Sequence, residues 1–163
     1  MGLFSKKKNE DENKMTRKIK KRLDELAIKG NQFEEAGQYN EAIKVWQEGL
    51  DLVPEPQQIY SETNWFLAAI GDTYFKLGDY SKAHGYFDKA RGNWSIEAGY
   101  GNPFIMLRLG ECCFEIGDTE NAKEYLLRAY ILEGKEIFML DEDENDDGQK
   151  YFEFLKANVE HIE

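Results

Sequence analysis

Residues 67–90, LAAIGDTYFKLGDYSKAHGYFDKA, carry the pattern that decides the fold of this chain. Apolar side chains recur at helical spacing on both sides of Gly78 and Asp79, which interrupt the pattern. The stretch therefore predicts two short helices folded against each other, with close approach at the small residues Gly71 and Ala83. A hairpin of this size cannot bury its apolar face alone, so we expect it to be one unit of a stack.

The same order of small and large residues occurs three times in the chain. Each copy has a glycine, an alanine twelve residues later and a large apolar residue four residues after that. The three sets are Gly30, Ala42 and Trp46, then Gly71, Ala83 and Phe87, then Gly110, Ala122 and Leu126. This register resembles that of the tetratricopeptide repeat, a helix–turn–helix unit of about 34 residues.

The resemblance implies an all-α solenoid of three helical hairpins, at about residues 23–56, 64–97 and 103–136. A basic helical segment leads into the first hairpin, and an amphipathic helix at about 150–162 is expected to cap the last one. We expect residues 15–163 to form a single domain behind a polar tail, residues 1–14. The tail is expected to be disordered, and a weak electrostatic contact of its lysines with a membrane is the alternative.

The spacing of the three glycines exceeds the usual period, so both junctions carry extra residues, in 54–63 and 92–101. We expect a helix that starts just after Pro56 and runs through to Lys76. Residues 92–101 are expected to form a loop packed by its own aromatic side chains. Asn102 and Pro103 then predict the cap and first turn of the next helix. A short helical piece is expected at 135–140.

The charge of the chain is strongly asymmetric. The 163 residues have a formal net charge of −11, yet residues 1–30 hold ten Lys or Arg and only five Asp or Glu. An acidic repeat body disfavours nucleic acid and favours a protein partner with a basic surface or segment. No apolar run is long enough to cross a bilayer, so we expect no integral membrane contact.

The chain offers no combination of residues that predicts catalysis or a cofactor. Its two cysteines, Cys112 and Cys113, are adjacent in a predicted helix, which disfavours a disulfide and fits a reducing cytoplasm. An acidic stretch at 143–148 matches the first half of an EF-hand loop, but Phe154 stands where the bidentate glutamate belongs. We therefore expect a non-enzymatic, cytoplasmic protein without a metal site.

The tetratricopeptide resemblance implies that the first helix of each hairpin lines an inner surface that binds peptides or protein segments. The candidate partner-binding residues at these positions are Asn31, Glu34, Glu35, Trp65, Asp72, Phe75, Phe104, Glu111, Phe114 and Glu115. Aromatic faces beside carboxylates favour a basic, partly apolar ligand. Packing of the aromatics against a neighbouring repeat or the terminal helix is the alternative.

Members of the family that bind chaperones hold a peptide carboxylate with Lys and Asn side chains. The corresponding positions here are Ala27, Asn31, Ala69 and Leu107, of which only Asn31 matches, so a carboxylate clamp is not expected. The C-terminal half resembles small bacterial tetratricopeptide proteins, some of which accompany polymorphic toxins as immunity proteins.

The sequence thus favours a protein-binding module, most sharply an immunity protein that neutralises a bacterial toxin. A general adaptor or assembly scaffold is the alternative within the same class. An enzyme accessory or an RNA-binding protein is the alternative from another class. A bound metal or nucleotide would favour the first of these, and a continuous basic face would favour the second.

Overall fold

The computed structural model describes residues 14–93, 101–139 and 147–163, and these residues form helices and turns without a strand. The described residues form seven α-helices: α1 (Arg17–Glu35), α2 (Tyr39–Leu52), α3 (Ser61–Lys76), α4 (Tyr80–Arg91), α5 (Pro103–Glu115), α6 (Thr119–Glu133) and α7 (Asp147–Asn158). Two 3-10 turns, Gln57–Ile59 and Lys135–Met139, lie in the junctions. The predicted all-α solenoid of helical hairpins is confirmed.

Consecutive helices pair into three hairpins, α1 with α2, α3 with α4 and α5 with α6. Each hairpin turns at a glycine with positive φ, at +71° in Gly37, +75° in Gly78 and +82° in Gly117. A Cβ is poorly tolerated in this conformation, so glycine is the natural residue at these turns. In the second and third hairpins, Asp79 and Asp118 then accept a backbone hydrogen bond from the first turn of the following helix.

The recurring glycine of each hairpin lies directly beneath the large residue of the second helix. A Cβ built on the glycine would lie 2.0 Å from a Trp46 atom at Gly30, 3.1 Å from Phe87 at Gly71 and 2.6 Å from Leu126 at Gly110. The three large side chains are almost completely buried. The small-to-large register in the sequence therefore marks the closest approach of the two helices in every hairpin.

Large aromatic side chains join one hairpin to the next. Phe66 of α3 packs onto Gly49 of α2, where an added Cβ would lie 2.4 Å from the ring. Phe87 of α4 meets Phe104 of α5 edge to face, with ring centroids 6.0 Å apart. These contacts place α1, α3 and α5, the first helices of the hairpins, side by side along one face of the stack.

The helix that was predicted to start just after Pro56 and to run through to Lys76 is interrupted near its start. Gln57–Ile59 forms a 3-10 turn, and Tyr60 is extended at φ −101° and ψ 133° before α3 begins. The Gln57 side chain donates to the carbonyl of Leu50 at 2.9 Å, and its own carbonyl accepts from the hydroxyl of Thr63. Residue 57 therefore caps the end of α2 instead of starting α3, because its polar groups are already bonded there.

The C-terminal helix covers the end of the third hairpin. It begins and ends earlier than the predicted 150–162, and it buries Tyr151 and Leu155. Its Phe152 packs against Phe138 of the second 3-10 turn and against Tyr130 of α6. The predicted cap of α5 is confirmed, since the Asn102 side chain accepts from the first turn. The predicted polar tail and most of the aromatic and calcium-like loops lie outside the described residues.

Candidate functional site

The face formed by α1, α3 and α5 carries the candidate residues, and much of it is occupied by internal ion pairs. Arg108 of α5 lies at the centre and is only 7% exposed. Its Nε is 2.9 Å from Asp72 Oδ1 of α3, and its Nη1 donates to Glu111 Oε2 at 2.8 Å. One guanidinium therefore neutralises two of the carboxylates that the sequence assigned to a basic partner.

Two aromatic rings also lie against this guanidinium. The guanidinium carbon of Arg108 lies 4.6 Å from the ring centroid of Phe75 and 5.4 Å from that of Phe104. Arginine is suited to such a place because its planar cation can pair with carboxylates and lie against ring faces at the same time. Phe75 and Phe104 thus make contacts within the protein, as the packing alternative from the sequence anticipated.

The pairing extends from this centre to α1. Lys76 Nζ is 3.3 Å from Asp72 Oδ2 and donates to Glu34 Oε1 at 2.9 Å. Glu34 also accepts from the hydroxyl of Thr73 at 3.2 Å. Burial lowers the pKa of Lys76, but the bonds to the two carboxylates outweigh it, and the pKa is raised above its ordinary value. We call Glu34, Lys76, Asp72, Arg108 and Glu111 the charge ladder, in which negative and positive groups alternate across three helices.

The last part of the face lies under α7. Phe114 meets Tyr151 and Phe154 edge to face, with centroids 5.4 and 5.1 Å apart. Glu115 accepts from the Tyr151 hydroxyl at 2.7 Å and pairs with Lys150 at 2.5 Å. Burial raises the pKa of Glu115, yet the bonds from Lys150 and Tyr151 bring it below its ordinary value. The C-terminal helix thus occupies these two candidate positions.

Part of the candidate set is therefore closed to a ligand in the structure. Glu111 is only 3% exposed, and Asp72 is shielded between Lys76 and Arg108. Arg108, which holds this part of the face together, was absent from the candidates because its sequence position gives no sign that it lies against Asp72. Of the ten candidates, Asn31, Glu35 and Trp65 remain exposed.

An open cleft of about 530 Å³ lies at the other end of the face, between α1 and α3. Its lining is mostly apolar and consists of Leu23, Asp24, Ala27, Ile28, Glu62, Trp65 and Phe66, which we call the Trp65 cleft. Trp65 is 43% exposed and Ile28 is 59% exposed, high values for large apolar side chains beside a core. A ligand can enter this cleft without displacing Lys76 or Arg108 from their carboxylates.

The exposed tryptophan is held by two other rings. Trp65 meets Trp46 and Phe66 edge to face, with centroids 6.1 and 5.2 Å apart. Trp46 is itself fixed over Gly30, and its Nε1 donates to the carbonyl of Ala27 at 3.4 Å. A tryptophan supported in this way presents a wide apolar surface at little entropic cost, which is the character of an anchor for a partner.

The rim of the Trp65 cleft is acidic. Asp24 makes no ion pair with any residue in the described part of the chain, and Glu62 pairs with Lys20 at 3.9 Å. Asp24, Ile28, Asn31 and Glu35 follow one another at helical spacing along α1, so the stripe extends the acidic surface beyond the cleft. An apolar floor with carboxylates on its rim suits an apolar side chain flanked by a cation.

The remaining reactive groups are core residues. Cys113 is 1% exposed, and burial raises its pKa to about 11, so the thiol is protonated at neutral pH. Cys112 is fully buried, and its pKa is raised for the same reason. Within the described ranges no group of three metal-ligating side chains comes together, and no helix has the length and apolarity to cross a membrane.

Two segments of the chain, residues 66–90 and 105–133, match the family model of the tetratricopeptide repeat. They correspond to the second and third hairpins. No curated protein sequence matches the chain.

Solved structures share the fold at low sequence identity. One is the first TPR domain of Spaghetti (RPAP3) bound to the HSP90 peptide SRMEEVD, with a TM-score of 0.61, 20% identity and coverage of 84% of this chain and 93% of that chain. The C-terminal TPR-containing domain of a Plasmodium falciparum protein has a TM-score of 0.64 and 20% identity, covering 89% and 93%. PcrH from Pseudomonas aeruginosa has a TM-score of 0.58 and 16% identity, covering 89% and 95%.

Proposed function

We propose that this chain of tetratricopeptide repeats is a non-catalytic protein-binding module that grips its partner at the Trp65 cleft. The observation that carries the proposal is the half-exposed, well-supported Trp65 in an apolar cleft of about 530 Å³. Stacks of helical hairpins use such extended surfaces to bind other proteins. Large apolar side chains that remain exposed beside a core mark interaction sites more often than isolated surface residues do.

The partner segment proposed here has a large apolar side chain next to a lysine or arginine. The apolar side chain would lie on Trp65 and Ile28, and the cation would face Asp24, which has no ion pair in the described part of the chain. The net charge of −11 would speed the approach of a basic partner, since long-range attraction acts mainly on the association rate.

A peptide carboxylate is a poorer ligand for the same face. The TPR domain of Spaghetti (RPAP3) is bound to a peptide from HSP90. Here the cations on the face, Lys76 and Arg108, are each paired with two carboxylates of the charge ladder. A carboxylate ligand would have to compete with these internal partners, so the proposal differs from a carboxylate clamp.

The sharper proposal is that the partner is a basic bacterial toxin and that this chain neutralises it. Its support is the acidic charge and the resemblance of the C-terminal half to small bacterial tetratricopeptide proteins, some of which accompany polymorphic toxins as immunity proteins. Co-expression of this chain with the product of the neighbouring gene should restore growth of a bacterial host that this product alone arrests. Continued growth arrest at equal expression would leave the general adaptor or scaffold as the function.

The cleft assignment can be tested with a matched pair of variants. Ile28→Glu places a charge in the cleft, whereas Ile131→Glu makes the same change at a 72% exposed position of α6. Partners captured from the native host by the wild-type chain should be retained by Ile131→Glu. Ile28→Glu should weaken their binding at least about tenfold, as loss of a central apolar contact does.

Surface plasmon resonance with a captured partner adds the charge dependence. Asp24→Lys should lower the association rate, and the difference should shrink with added salt, because exposed charges are screened over about 8 Å at physiological ionic strength. Circular dichroism serves as the folding control. A partner bound equally by all three variants would place the binding face outside the Trp65 cleft.

A further inference from the structure

The ligand chemistry that suits the Trp65 cleft also occurs within this chain. Residues 3–8 read LFSKKK, in which Leu3 and Phe4 are adjacent apolar side chains followed closely by three lysines. These are the only apolar residues between Met1 and Met15. The segment lies before α1, the helix that supplies one wall of the cleft.

The length of the connecting chain allows the segment to reach the cleft of its own molecule. Phe4 precedes Arg17, the first residue of α1, by thirteen residues. Ile28 lies about 16 Å along the helix from Arg17, at a rise of about 1.5 Å per residue. A random coil of ten residues, the separation between Phe4 and Lys14, the first residue that the structure describes, has a root-mean-square span of about 17 Å, which is comparable to the distance required.

We infer that residues 3–8 bind the Trp65 cleft of the same molecule, with Leu3 and Phe4 on the apolar floor and the lysines beside the acidic rim. Asp24 and Glu62 would face the lysines, and Trp65 with Ile28 would receive the apolar pair. The contact is favourable through apolar burial and opposite charge together. Because the linker span matches the distance, the effective concentration of the segment is in the millimolar range.

The consequence is competition between the chain's own segment and any partner at this cleft. A partner meets a cleft that is open only part of the time, so its apparent affinity falls by the open fraction. A partner with better apolar contacts displaces the segment and exposes the three lysines. The segment therefore acts as an autoinhibitory ligand that lowers the apparent affinity of the cleft for a partner.

Paramagnetic relaxation in the full-length chain tests the contact directly. A nitroxide is attached to Ser5→Cys, and backbone amide signals are followed by NMR. The native thiols of Cys112 and Cys113 are buried, and the unsubstituted chain treated with the same reagent checks that they stay unlabelled. We expect signal loss concentrated at Ile28 and Trp65, with the amide of Leu132 on α6 unaffected.

Two changes separate specific docking from random contact. Leu3→Ser with Phe4→Ser in the labelled chain should abolish the signal loss at the cleft, since the apolar pair is removed and the lysines remain. The same double substitution, without the label, should bind a fluorescent peptide of residues 1–10 at least about twofold more tightly than the wild-type chain, as expected when a competing ligand is removed.

The outcomes discriminate between occupants. The intramolecular contact is supported if the signal loss does not change on dilution and disappears in the variant with Leu3→Ser and Phe4→Ser. Signal loss that grows with protein concentration identifies the segment of a second copy and overturns it. Signal loss spread evenly over the three hairpins also overturns it. Neither of these results affects the proposed function, whose test is the loss of an external partner by Ile28→Glu.

Discussion

The two halves of the α1–α3–α5 face have similar side chains, but one half is closed by internal ion pairs and the other is open. Around Asp72 and Glu111, aromatic rings and carboxylates enclose Arg108, so the charges are satisfied and the surface is closed. Around Trp65 and Asp24, aromatic rings and carboxylates enclose an open cleft. The presence of aromatic and acidic residues on a face therefore does not identify a binding site. The deciding factor is whether the protein already supplies the cation.

The closed half depends on a cation that has been removed from water. A buried guanidinium is unfavourable unless its charge is matched, and here the carboxylates of Asp72 and Glu111 lie 2.9 and 2.8 Å from its nitrogens. The same argument applied in reverse makes the carboxylates dependent on Arg108. Charge reversal at Asp72 or Glu111 would therefore test folding before it tested binding, which leaves Asp24 as the better probe of partner charge.

Arg108→Met should destabilise the chain more than any other change considered for this face. The substitution retains an apolar stem against Phe75 but leaves Asp72 and Glu111 without their shared cation. Breaking a buried ion pair by removing one partner costs about 3–5 kcal/mol. We expect a loss of this size in the free energy of unfolding, measured by urea denaturation at pH 7.

Arg128→Met is the matched control for that measurement. Arg128 pairs with Glu124 at 2.5 Å on the exposed side of α6, where the two side chains are about half exposed. Exposed ion pairs contribute at most about 1 kcal/mol. If the two variants lost the same stability, the charge ladder would be a surface feature, and the contrast between the two halves would disappear.

The hairpin interiors could be predicted from the sequence because their contacts are local. Gly30 and Trp46 are sixteen residues apart, on either side of one turn, and the same spacing in the other hairpins revealed the register. The site could be predicted only in part. Trp65, a predicted position on this face, is exposed there, but the pairing of Arg108 with Asp72 joins residues of different hairpins. No periodic pattern indicates which of several charged residues will be buried.

The contacts of the C-terminal helix were equally beyond prediction from the repeat pattern. Phe75 and Phe114 occupy equivalent positions in two repeats, so the repeat pattern predicts the same role for both. In the structure Phe75 faces Arg108 of the following hairpin, whereas Phe114 faces Tyr151 and Phe154 of α7. The exposure of a repeat's side chains is thus determined by the next element of the chain and by how that element stacks.

The next largest loss of stability is expected when the Trp46 ring, which supports Trp65 in the open half, is displaced. Gly30→Ala places a methyl group 2.0 Å from Nε1 of Trp46, so the ring that supports Trp65 must move. Overpacking of a core typically costs about 1–3 kcal/mol, which should exceed the helix-propensity gain of about 1 kcal/mol from glycine to alanine. We expect lower stability and an altered near-ultraviolet circular dichroism signal from the tryptophans.

Gly71→Ala makes the same change in the second hairpin, with more room. The nearest atom, in Phe87, lies 3.1 Å from the added Cβ, so a small shift of the ring accommodates the methyl group. We expect stability close to that of the wild-type chain. Equal losses in the two variants would show that the closeness of Trp46 to Gly30 does not distinguish the first hairpin.

The weakest expected effect is a dependence on pH of the stability that Glu115 contributes in the closed half. Glu115 is partly buried beside α7, which by itself raises its pKa, but hydrogen bonds from Lys150 and Tyr151 lower the pKa below its ordinary value of 4.5. A carboxyl group whose pKa is lower in the folded state stabilises that state above the unfolded pKa. This contribution is lost as the pH falls below 4.5 and through the folded pKa. Glu115→Gln should therefore be less stable than the wild-type chain at pH 7, and the difference should narrow as the solution is acidified through this window.

Urea denaturation of both proteins at pH 7 and at several values below the ordinary pKa of 4.5 measures that difference. Glu153→Gln on the same helix is the control, because Glu153 is about half exposed and pairs with Lys156 only at 3.6 Å. The Glu115 difference should exceed the Glu153 difference at pH 7, since the glutamine can still accept from Tyr151 but no longer attracts Lys150. A difference that stays constant with pH, or widens on acidification, would mean that the charge of Glu115 does not hold α7 against the third hairpin. The closure of that half would then rest on Phe114 and its two aromatic neighbours alone.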